Sequence, residues 1–256
     1  MTLEEVKDIV EVSVVLPAYN EVDYLAPAVE KTVETLKIFA ESYEIIIAED
    51  GSTDGTAKKA EELSRKHQCI RHIHRDDRLG RGKALNNAFI QSRGKVLVYM
   101  DLDLATDLKY LKPLVEAITE ENYDFSTGSR LMKESIAERS ISRSLSSKTY
   151  NFLVRCMLNS KLKDHQCGFK AFRRDSVLAI LDEVEAKHWF WDTEIMVRGY
   201  LHGYKIKEMP VEWKSGKDTK VSLFRDSWNM FWDILGLWWK IKIVKKTNKN
   251  NKKITL

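Results

Sequence analysis

Two carboxylates follow directly after an apolar run in the middle of the chain. The run over residues 96–100 is uninterrupted and contains β-branched side chains, and it ends in Asp101 and Asp103. It predicts a buried strand, with the acids emerging at a sheet rim, where α/β proteins bind ligands. Residues i and i+2 of an extended backbone point the same way. The pair therefore suits one Mg²⁺ or Mn²⁺ ion, which could hold a diphosphate. The alternative is a strand followed by an acidic helix N-terminus near Asp107.

The elements before this pair alternate between strand and helix patterns. Strands are predicted over 12–16, 43–48, 70–74 and 95–100, and helices over 24–40, 56–66 and 83–91. The alternation indicates an α/β fold with a mainly parallel, doubly wound sheet flanked by helices. Polar segments follow three of the strands, at 19–21, 49–52 and 101–103. We expect these three segments to meet at the carboxyl edge of the sheet.

A glycine pattern and a histidine pair near the third and fourth strands do not indicate a ligand site. Gly80-Arg81-Gly82 lacks the third glycine of a dinucleotide site, and Gly82-Lys83 lacks the other residues of a Walker A loop. His72 and His74 share one face of a strand, but the sequence places no third ligand beside them. We therefore predict that these histidines bind no metal.

The second half of the chain has a less regular pattern. We predict helices over 111–118, 149–159 and 195–201, strands over 123–127, 170–172 and 204–211, a polar loop over 134–149 and a basic loop over 213–221. The strand over 204–211 is predicted at the sheet edge, because Pro210 lies near its end.

Charge and cysteine content exclude several classes of protein. The chain has 42 basic and 38 acidic residues, and seven of the lysines fall in 240–256, which leaves 35 basic against 38 acidic residues elsewhere. A basic tail on a mildly acidic body is not typical of a nucleic-acid-binding domain. The widely spaced Cys69, Cys156 and Cys167 indicate a reducing compartment without disulfides or a zinc site. We expect no signal peptide and no membrane-spanning helix.

A tryptophan-rich segment precedes the lysines. Its large apolar residues recur every three or four positions, as on one helical face: Trp228, Phe231, Trp232, Leu235, Trp238 and Trp239. Tryptophan and lysine favour a membrane interface, which predicts that 226–256 is an amphipathic helix and tail lying on a membrane surface. The alternative is a helix packed on the core with a solvated tail. We expect the boundary between this segment and the main domain, 1–225, near residue 225.

Four motifs in this order resemble the inverting family 2 glycosyltransferases of GT-A fold. They are Pro17-Ala18-Tyr19-Asn20-Glu21, Glu49-Asp50-Gly51-Ser52, Gly80-Arg81-Gly82-Lys83 and Asp101-Leu102-Asp103. Later segments, including Gly128-Ser129-Arg130 and Cys167-Gly168-Phe169-Lys170, resemble the dolichyl-phosphate glucosyl- and mannosyltransferases within that family. The resemblance covers roughly residues 10–225, and it implies an enzyme of this class.

The resemblance also implies roles for individual residues. Nucleotide-sugar contacts are expected from Pro17, Tyr19, Glu21, Asp50, Lys83, Asp101 and Lys214. Asp101 and Asp103 take the role of metal and diphosphate binding, with Asp103 as the first choice for direct ligation. Arg130 and Arg143 take that of holding the acceptor phosphate, and Lys220 that of a basic diphosphate contact on a closing loop.

The reaction so implied is transfer of a hexose from a nucleotide sugar, preferentially UDP-glucose or UDP-GlcNAc, to dolichyl or another polyprenyl phosphate. The location implied is peripheral, on the cytoplasmic face of a membrane. Three alternatives stay open. The donor could be GDP-mannose. A hydroxyl acceptor would require a general base, for which Asp192 or Glu194 is the candidate. The chain could also be a non-catalytic subunit that recruits partners to a membrane through its tryptophan-rich helix.

Overall fold

The computed structural model describes residues 9–214 and 229–243. A seven-stranded sheet forms its centre, in the order β3-β2-β1-β4-β7-β5-β8. These strands are β1 (Val10–Ala18), β2 (Tyr43–Glu49), β3 (Ile70–Ile73), β4 (Gly94–Met100), β5 (Phe125–Ser129), β7 (Phe169–Arg173) and β8 (Ile206–Pro210). β7 is antiparallel to both of its neighbours, whereas the other neighbouring pairs are parallel. The predicted mainly parallel α/β sheet is confirmed.

Helices cover both faces of this sheet. They are α1 (Val22–Phe39), α2 (Thr56–Lys66), α3 (Arg81–Gln91), α4 (Leu111–Thr119), α5 (Ile141–Leu158), α6 (Arg174–Leu178), α7 (Trp191–Leu201) and α8, which spans 229–243. Alternate residues of each central strand enter different cores, as the period of a strand requires. Val14 and Val98 pack under α1, α2 and α4, while Val15 and Tyr99 pack under α3 and α7.

The strand register brings the polar segments together. Ala18 of β1 pairs with Glu49 of β2, and Val15 of β1 pairs with Tyr99 of β4. The polar segments that start with Tyr19, Asp50 and Asp101 therefore leave the sheet at neighbouring points of its carboxyl edge. The predicted convergence of three strand ends is confirmed.

The prediction of a loop over 134–149 is wrong in two respects. Residues Ile136–Glu138 form β6, which pairs with β9 (Glu212–Lys214) in a small second sheet, and α5 begins at Ile141. Ser140 caps α5 by accepting a hydrogen bond from the backbone N–H of Arg143. The three residues of β6 carry no local strand signal, because this strand is stabilised by its pairing with β9, which lies far along the chain. Lys214 of the predicted basic loop lies in β9, and the rest of that loop is outside the described residues.

Helix α8 packs on the body of the protein with one face. Ile234 and Leu237 are buried against α5 and α7, and Met230 is buried as well, whereas Trp232 and Trp239 are 56% and 62% exposed. One face of α8 therefore packs on the core, as the alternative interpretation predicted. The exposed Trp232 and Trp239 fit the interpretation of a membrane-surface helix. Within the described ranges, no helix is both long and apolar enough to span a bilayer.

Candidate active site

A cavity of about 1230 Å³ opens at the carboxyl edge of the sheet. Eight of the residues predicted for the site line it: Pro17, Tyr19, Glu21, Asp50, Asp101, Asp103, Arg130 and Arg143. The lining residues come from the loops after β1, β2 and β4, from helices α5 and α8, and from the segment 185–190. The structure thus brings most of the predicted site into one place.

Side chains tie the first two loops to each other. Asn20, at a positive φ of 53°, donates its backbone N–H to the Ser52 hydroxyl and accepts from the Thr53 N–H at 2.8 Å. Asparagine adopts this left-handed conformation more readily than most residues do. The backbone N–H of Glu21 donates to the Thr56 hydroxyl at 2.8 Å. The two motifs therefore form one rigid unit at the cavity wall.

Asp50 organises a third loop. Its two carboxylate oxygens accept hydrogen bonds from the backbone N–H groups of Leu79 and Gly80, each at 2.8 Å. The loop carries Arg78, whose guanidinium lies 3.6 Å from the ring centroid of Tyr19. Arg78 therefore covers a face of the ring from which we expected a nucleotide-sugar contact. The sequence analysis missed Arg78 because only this loop closure brings it to Tyr19.

The two central carboxylates lie on a turn rather than on extended backbone. Leu104 has a positive φ of 47°, and its N–H donates to the Asp101 carbonyl. Asp101 and Asp103 nevertheless both line the cavity, with Leu102 buried between them. A Cβ at Gly168 would lie only 1.8 Å from a carboxylate oxygen of Asp101. Glycine at this position therefore makes room for that carboxylate.

Asp103 has the more open carboxyl group. One oxygen accepts from the Ala105 N–H at 3.0 Å. Desolvation in the cleft, together with the negative charge of Asp101, raises the pKa of Asp103. Crowded carboxylates of this kind are stabilised by a hard divalent cation, which binds oxygen ligands. The donor set thus fits Mg²⁺ or Mn²⁺.

Arg81 is the main functional candidate that the sequence analysis missed. Its guanidinium donates to Asp101 at 2.5 Å and to Asp192 at 2.7 Å, and it lies 4.8 Å from the Trp189 ring. The two carboxylates raise the pKa of Arg81. Arg81 begins α3, and the adjacent Gly82 permits close packing, since a Cβ there would lie 2.3 Å from the Ala186 carbonyl. The available signal was the motif Gly80-Arg81-Gly82-Lys83, from which the resemblance gave a role to Lys83 and none to Arg81.

The two candidate general bases are already engaged. Buried Asp192 pairs with Arg81 and, at 3.1 Å, with the Lys170 ammonium. Glu194 accepts hydrogen bonds from the backbone N–H groups of Glu185 and Ala186 and from the Arg198 guanidinium. Both acids line the cavity, and these contacts hold the cavity wall.

Arg130, Arg139 and Arg143 also line the cavity. Arg130 makes a bidentate pair with buried Asp164, at 2.7 and 2.9 Å, which lowers the pKa of the Asp164 carboxyl. Arg139 has no ion pair with any carboxylate in the described part of the chain. Burial and the neighbouring Arg130 lower the pKa of Arg139, so an anion beside it would be stabilised. Arg143 lines the same wall from α5.

Two predicted lysines do not line this cavity, and a third lies outside the described residues. Lys83 lies on α3 but is not among the residues that line it. Lys214 is exposed on β9 and forms an ion pair with Glu138 at 3.5 Å. Its neighbour Trp213 lines the cavity instead. Lys220 lies outside the described residues, so its role stays a prediction.

The prediction that the histidines lack a third ligand is wrong. Glu49, at the end of β2, has a carboxylate oxygen within 4.8 Å of ring nitrogens of His72 and His74. The parallel pairing of β2 with β3 brings the three side chains together. This arrangement depends on strand register, which the sequence did not reveal.

Comparison with known proteins agrees with this geometry. The sequence matches Glycosyl transferase family 2 over residues 13–181. It is 50% identical over 236 residues to "Glycosyltransferase AglD" of Haloferax volcanii, a match covering 91% of this chain and 38% of that protein. It is 29% identical to a dolichyl-phosphate beta-glucosyltransferase of Saccharomyces cerevisiae, covering 87% of this chain and 72% of that one. The chain thus spans well under half of the Haloferax relative.

Solved structures agree at the level of the fold. Glucosyl-3-phosphoglycerate synthase from Mycobacterium tuberculosis, in complex with UDP, superposes with a TM-score of 0.66 at 18% identity, covering 90% of this chain and 80% of that one. The mannosyltransferase PcManGT of Pyrobaculum calidifontis, in complex with GDP-Man and Mn²⁺, gives 0.56 at 18% identity, covering 83% and 58%. The family match covers more than half of the sequence, so the chain belongs to glycosyl transferase family 2 and is a glycosyltransferase of GT-A fold.

Proposed function

We propose that this glycosyltransferase transfers a hexose from a nucleotide sugar to dolichyl or another polyprenyl phosphate, with inversion at the anomeric carbon. The observation that carries the proposal is one cavity lined by both carboxylates and arginines. Asp50, Asp101 and Asp103 line it together with Arg130, Arg139 and Arg143. A donor diphosphate bound through a cation suits the carboxylates, and an acceptor phosphate suits the arginines.

The names of relatives support both substrates. The Saccharomyces protein and a human protein 28% identical to this chain are each named dolichyl-phosphate beta-glucosyltransferase. A structural neighbour with a TM-score of 0.63 was solved with Mn²⁺ and UDP-glucose. UDP-glucose is therefore the first candidate donor, ahead of UDP-GlcNAc and GDP-mannose.

On the donor side, Tyr19, Glu21 and Asp50 would contact the nucleoside. Asp103, with Asp101 beside it, would hold Mg²⁺ or Mn²⁺. Such an ion neutralises charge on the diphosphate and favours its departure. Arg81 lies against Asp101 and would contribute a second positive charge at the same place. Binding of the donor thus rests on groups that the structure already holds in position.

On the acceptor side, Arg139 and Arg143 would hold the lipid phosphate, because guanidinium groups bind phosphate oxygens bidentately. Arg130 is engaged with Asp164 and would act mainly by its charge and by shaping the wall. A phosphate oxygen of the acceptor attacks the anomeric carbon while the bond from that carbon to the donor diphosphate breaks. The acceptor is already anionic near neutral pH, so no proton transfer is needed. Positioning and charge neutralisation then lower the barrier.

A lipid acceptor also accounts for apolar side chains that are exposed on α8 and α5. Trp232 of α8 lines the cavity and is 56% exposed. On α5, Ile141, Leu145 and Phe152 are 88%, 65% and 57% exposed, and their spacing places them on one helical face. Apolar groups exposed together favour a membrane surface. We therefore place the enzyme peripherally on the cytoplasmic face of a membrane, where its free cysteines stay reduced.

The activity test offers labelled UDP-glucose, UDP-GlcNAc and GDP-mannose in turn, with Mn²⁺, to dolichyl phosphate in detergent and to a soluble sugar. We expect a chloroform-soluble labelled product with dolichyl phosphate and one preferred donor. Arg139→Gln should slow transfer at least about tenfold through loss of one charged phosphate contact, with Arg65→Gln, at a 75% exposed arginine of α2, as the control. Product formed only with the soluble sugar would refute the lipid-phosphate acceptor.

Membrane contact has its own test. The variant with both Trp232→Ser and Trp239→Ser should lose co-sedimentation with anionic liposomes, because both side chains lie on the exposed face of α8. Ile38→Ser, an 80% exposed site on α1, is the matched control and should leave binding unchanged. Equal liposome binding by the double variant and the intact protein would refute the contact through α8.

A further inference from the structure

We propose that Glu49, His72 and His74 form a second cation site, which takes a transition metal ion of the zinc type. The three side chains lie at the edge of the sheet, at the ends of β2 and β3. Their ligand atoms are all within 4.8 Å of one another. Of the described residues that line the large cavity, none is one of these three. The site is therefore separate from Asp101 and Asp103.

The ligand types decide the class of metal. Two imidazole nitrogens and one carboxylate oxygen suit Zn²⁺, Co²⁺ or Ni²⁺, whereas Mg²⁺ prefers oxygen ligands throughout. Ligand atoms around zinc lie roughly 3.4 Å apart at tetrahedral geometry. His74 is 45% exposed on its side chain, so it can make the small rotation that closes the site. Three protein ligands leave a fourth position for water.

The buried part of the site lacks the contacts that a purely structural histidine would have. Nε2 of His72 is buried and makes no hydrogen bond to any residue in the described ranges. A buried polar atom without a partner is costly, and a metal bond would satisfy it.

His74 contacts the Glu49 carboxylate through Nδ1 and faces Asp76 through Nε2 at 3.3 Å. A bound metal ion would replace the direct contact between Nδ1 and Glu49 and leave Asp76 on the second ring nitrogen. A carboxylate on the second ring nitrogen orients a metal-binding histidine and raises its basicity. The other oxygen of Glu49 accepts from the backbone N–H of Ser52. Bound metal would thus also hold the turn that carries Asp50.

The test measures zinc binding by the full-length protein, stripped with a chelator and then kept in excess Mg²⁺ to occupy the oxygen-ligand site. We expect one zinc ion per chain by calorimetry, a rise in melting temperature, and Co²⁺ absorption bands without thiolate charge transfer. His72→Gln and His74→Gln should each weaken zinc binding at least about 100-fold, since each removes a direct ligand. Circular dichroism and Mn²⁺ binding check that each variant is folded.

A matched control exists on the opposite edge of the sheet. His202 contacts Glu183 at 2.8 Å and is similarly exposed, but it has no second histidine in the described cluster. His202→Gln should leave zinc binding within about twofold of the intact protein, and so should Asp103→Ala. The proposal is overturned if folded His74→Gln binds zinc as tightly as the intact protein, or if Asp103→Ala is the variant that loses it. Neither readout depends on transferase activity, so failure here is distinct from failure of the proposed reaction.

Discussion

Replacing Arg81 by methionine should make the protein less stable and yet bind Mn²⁺ more tightly. Arg81 now pairs with Asp192, whose side chain is 3% exposed, and with Asp101, whose side chain is 40% exposed. Breaking a buried pair costs about 3–5 kcal/mol of unfolding free energy. Asp192 keeps its contact with Lys170, and Asp101 can be hydrated. We therefore expect a loss of about 3 kcal/mol, measured by urea unfolding without metal.

The effect on metal binding has the opposite sign because Arg81 repels any cation bound at Asp101. Two unit charges about 5 Å apart at an effective dielectric constant of about 20 interact by roughly 3 kcal/mol. Solvent in the open cavity and buffer salt reduce this to roughly 1.4 kcal/mol, which corresponds to about tenfold in affinity. Arg81→Met should therefore bind Mn²⁺ about tenfold more tightly in the absence of nucleotide, as measured by calorimetry or paramagnetic resonance.

Two control variants separate the effect on stability from the effect on Mn²⁺ affinity. Arg81→Lys keeps the charge and should keep the Mn²⁺ affinity within about threefold, by the same electrostatic argument. Arg65→Met removes a 75% exposed arginine from its pair with Glu61 and should change stability by no more than about 0.5 kcal/mol. Unchanged or weaker Mn²⁺ binding by folded Arg81→Met would refute a cation at Asp101.

Three further predictions concern individual side chains. Asp103→Ala should abolish turnover while the melting temperature stays within a few degrees, and full, metal-dependent activity of this variant would contradict the role of Asp103. Because the pKa of Asp103 is raised, Mn²⁺ binding by the intact protein should weaken on acidification at a higher pH than for an ordinary aspartate. Gly168→Ala should cost about 1–3 kcal/mol of stability and at least about 100-fold in turnover, since its Cβ must displace the carboxylate of Asp101; wild-type kinetics would show that this contact does not matter. Asp164→Asn should cost about 3–5 kcal/mol at pH 7, because it leaves the Arg130 charge buried and unpaired. Since Arg130 depresses the pKa of Asp164 in the folded state, that stability is present above the unfolded-state pKa of about 4 and is lost as the pH falls below it, so urea unfolding should show the gap between intact and variant protein narrowing in acid; a constant gap would be inconsistent with this linkage.

Local patterns were sufficient to predict the first half of the fold, up to the end of β4. Its strands are short apolar runs and its helices repeat with the helical period, so each element is specified by nearby residues. The strand ends carrying Tyr19, Asp50 and Asp101 could be placed at one edge because parallel strands joined by helices allow few other arrangements. Strand β6 and the start of α5 could not be predicted in this way. β6 owes its existence to pairing with β9, far along the chain.

The sequence by itself determined which residues are available for chemistry: the carboxylates after β4, the polar ends of β1 and β2, and the arginines of the second half. Tertiary structure decided how those charges are paired. It placed Arg81 between Asp101 and Asp192, engaged Arg130 with Asp164 and brought Glu49 to two histidines. The physical reason is that charge pairing falls off over a few ångströms, whereas these partners are between 20 and 111 residues apart along the chain.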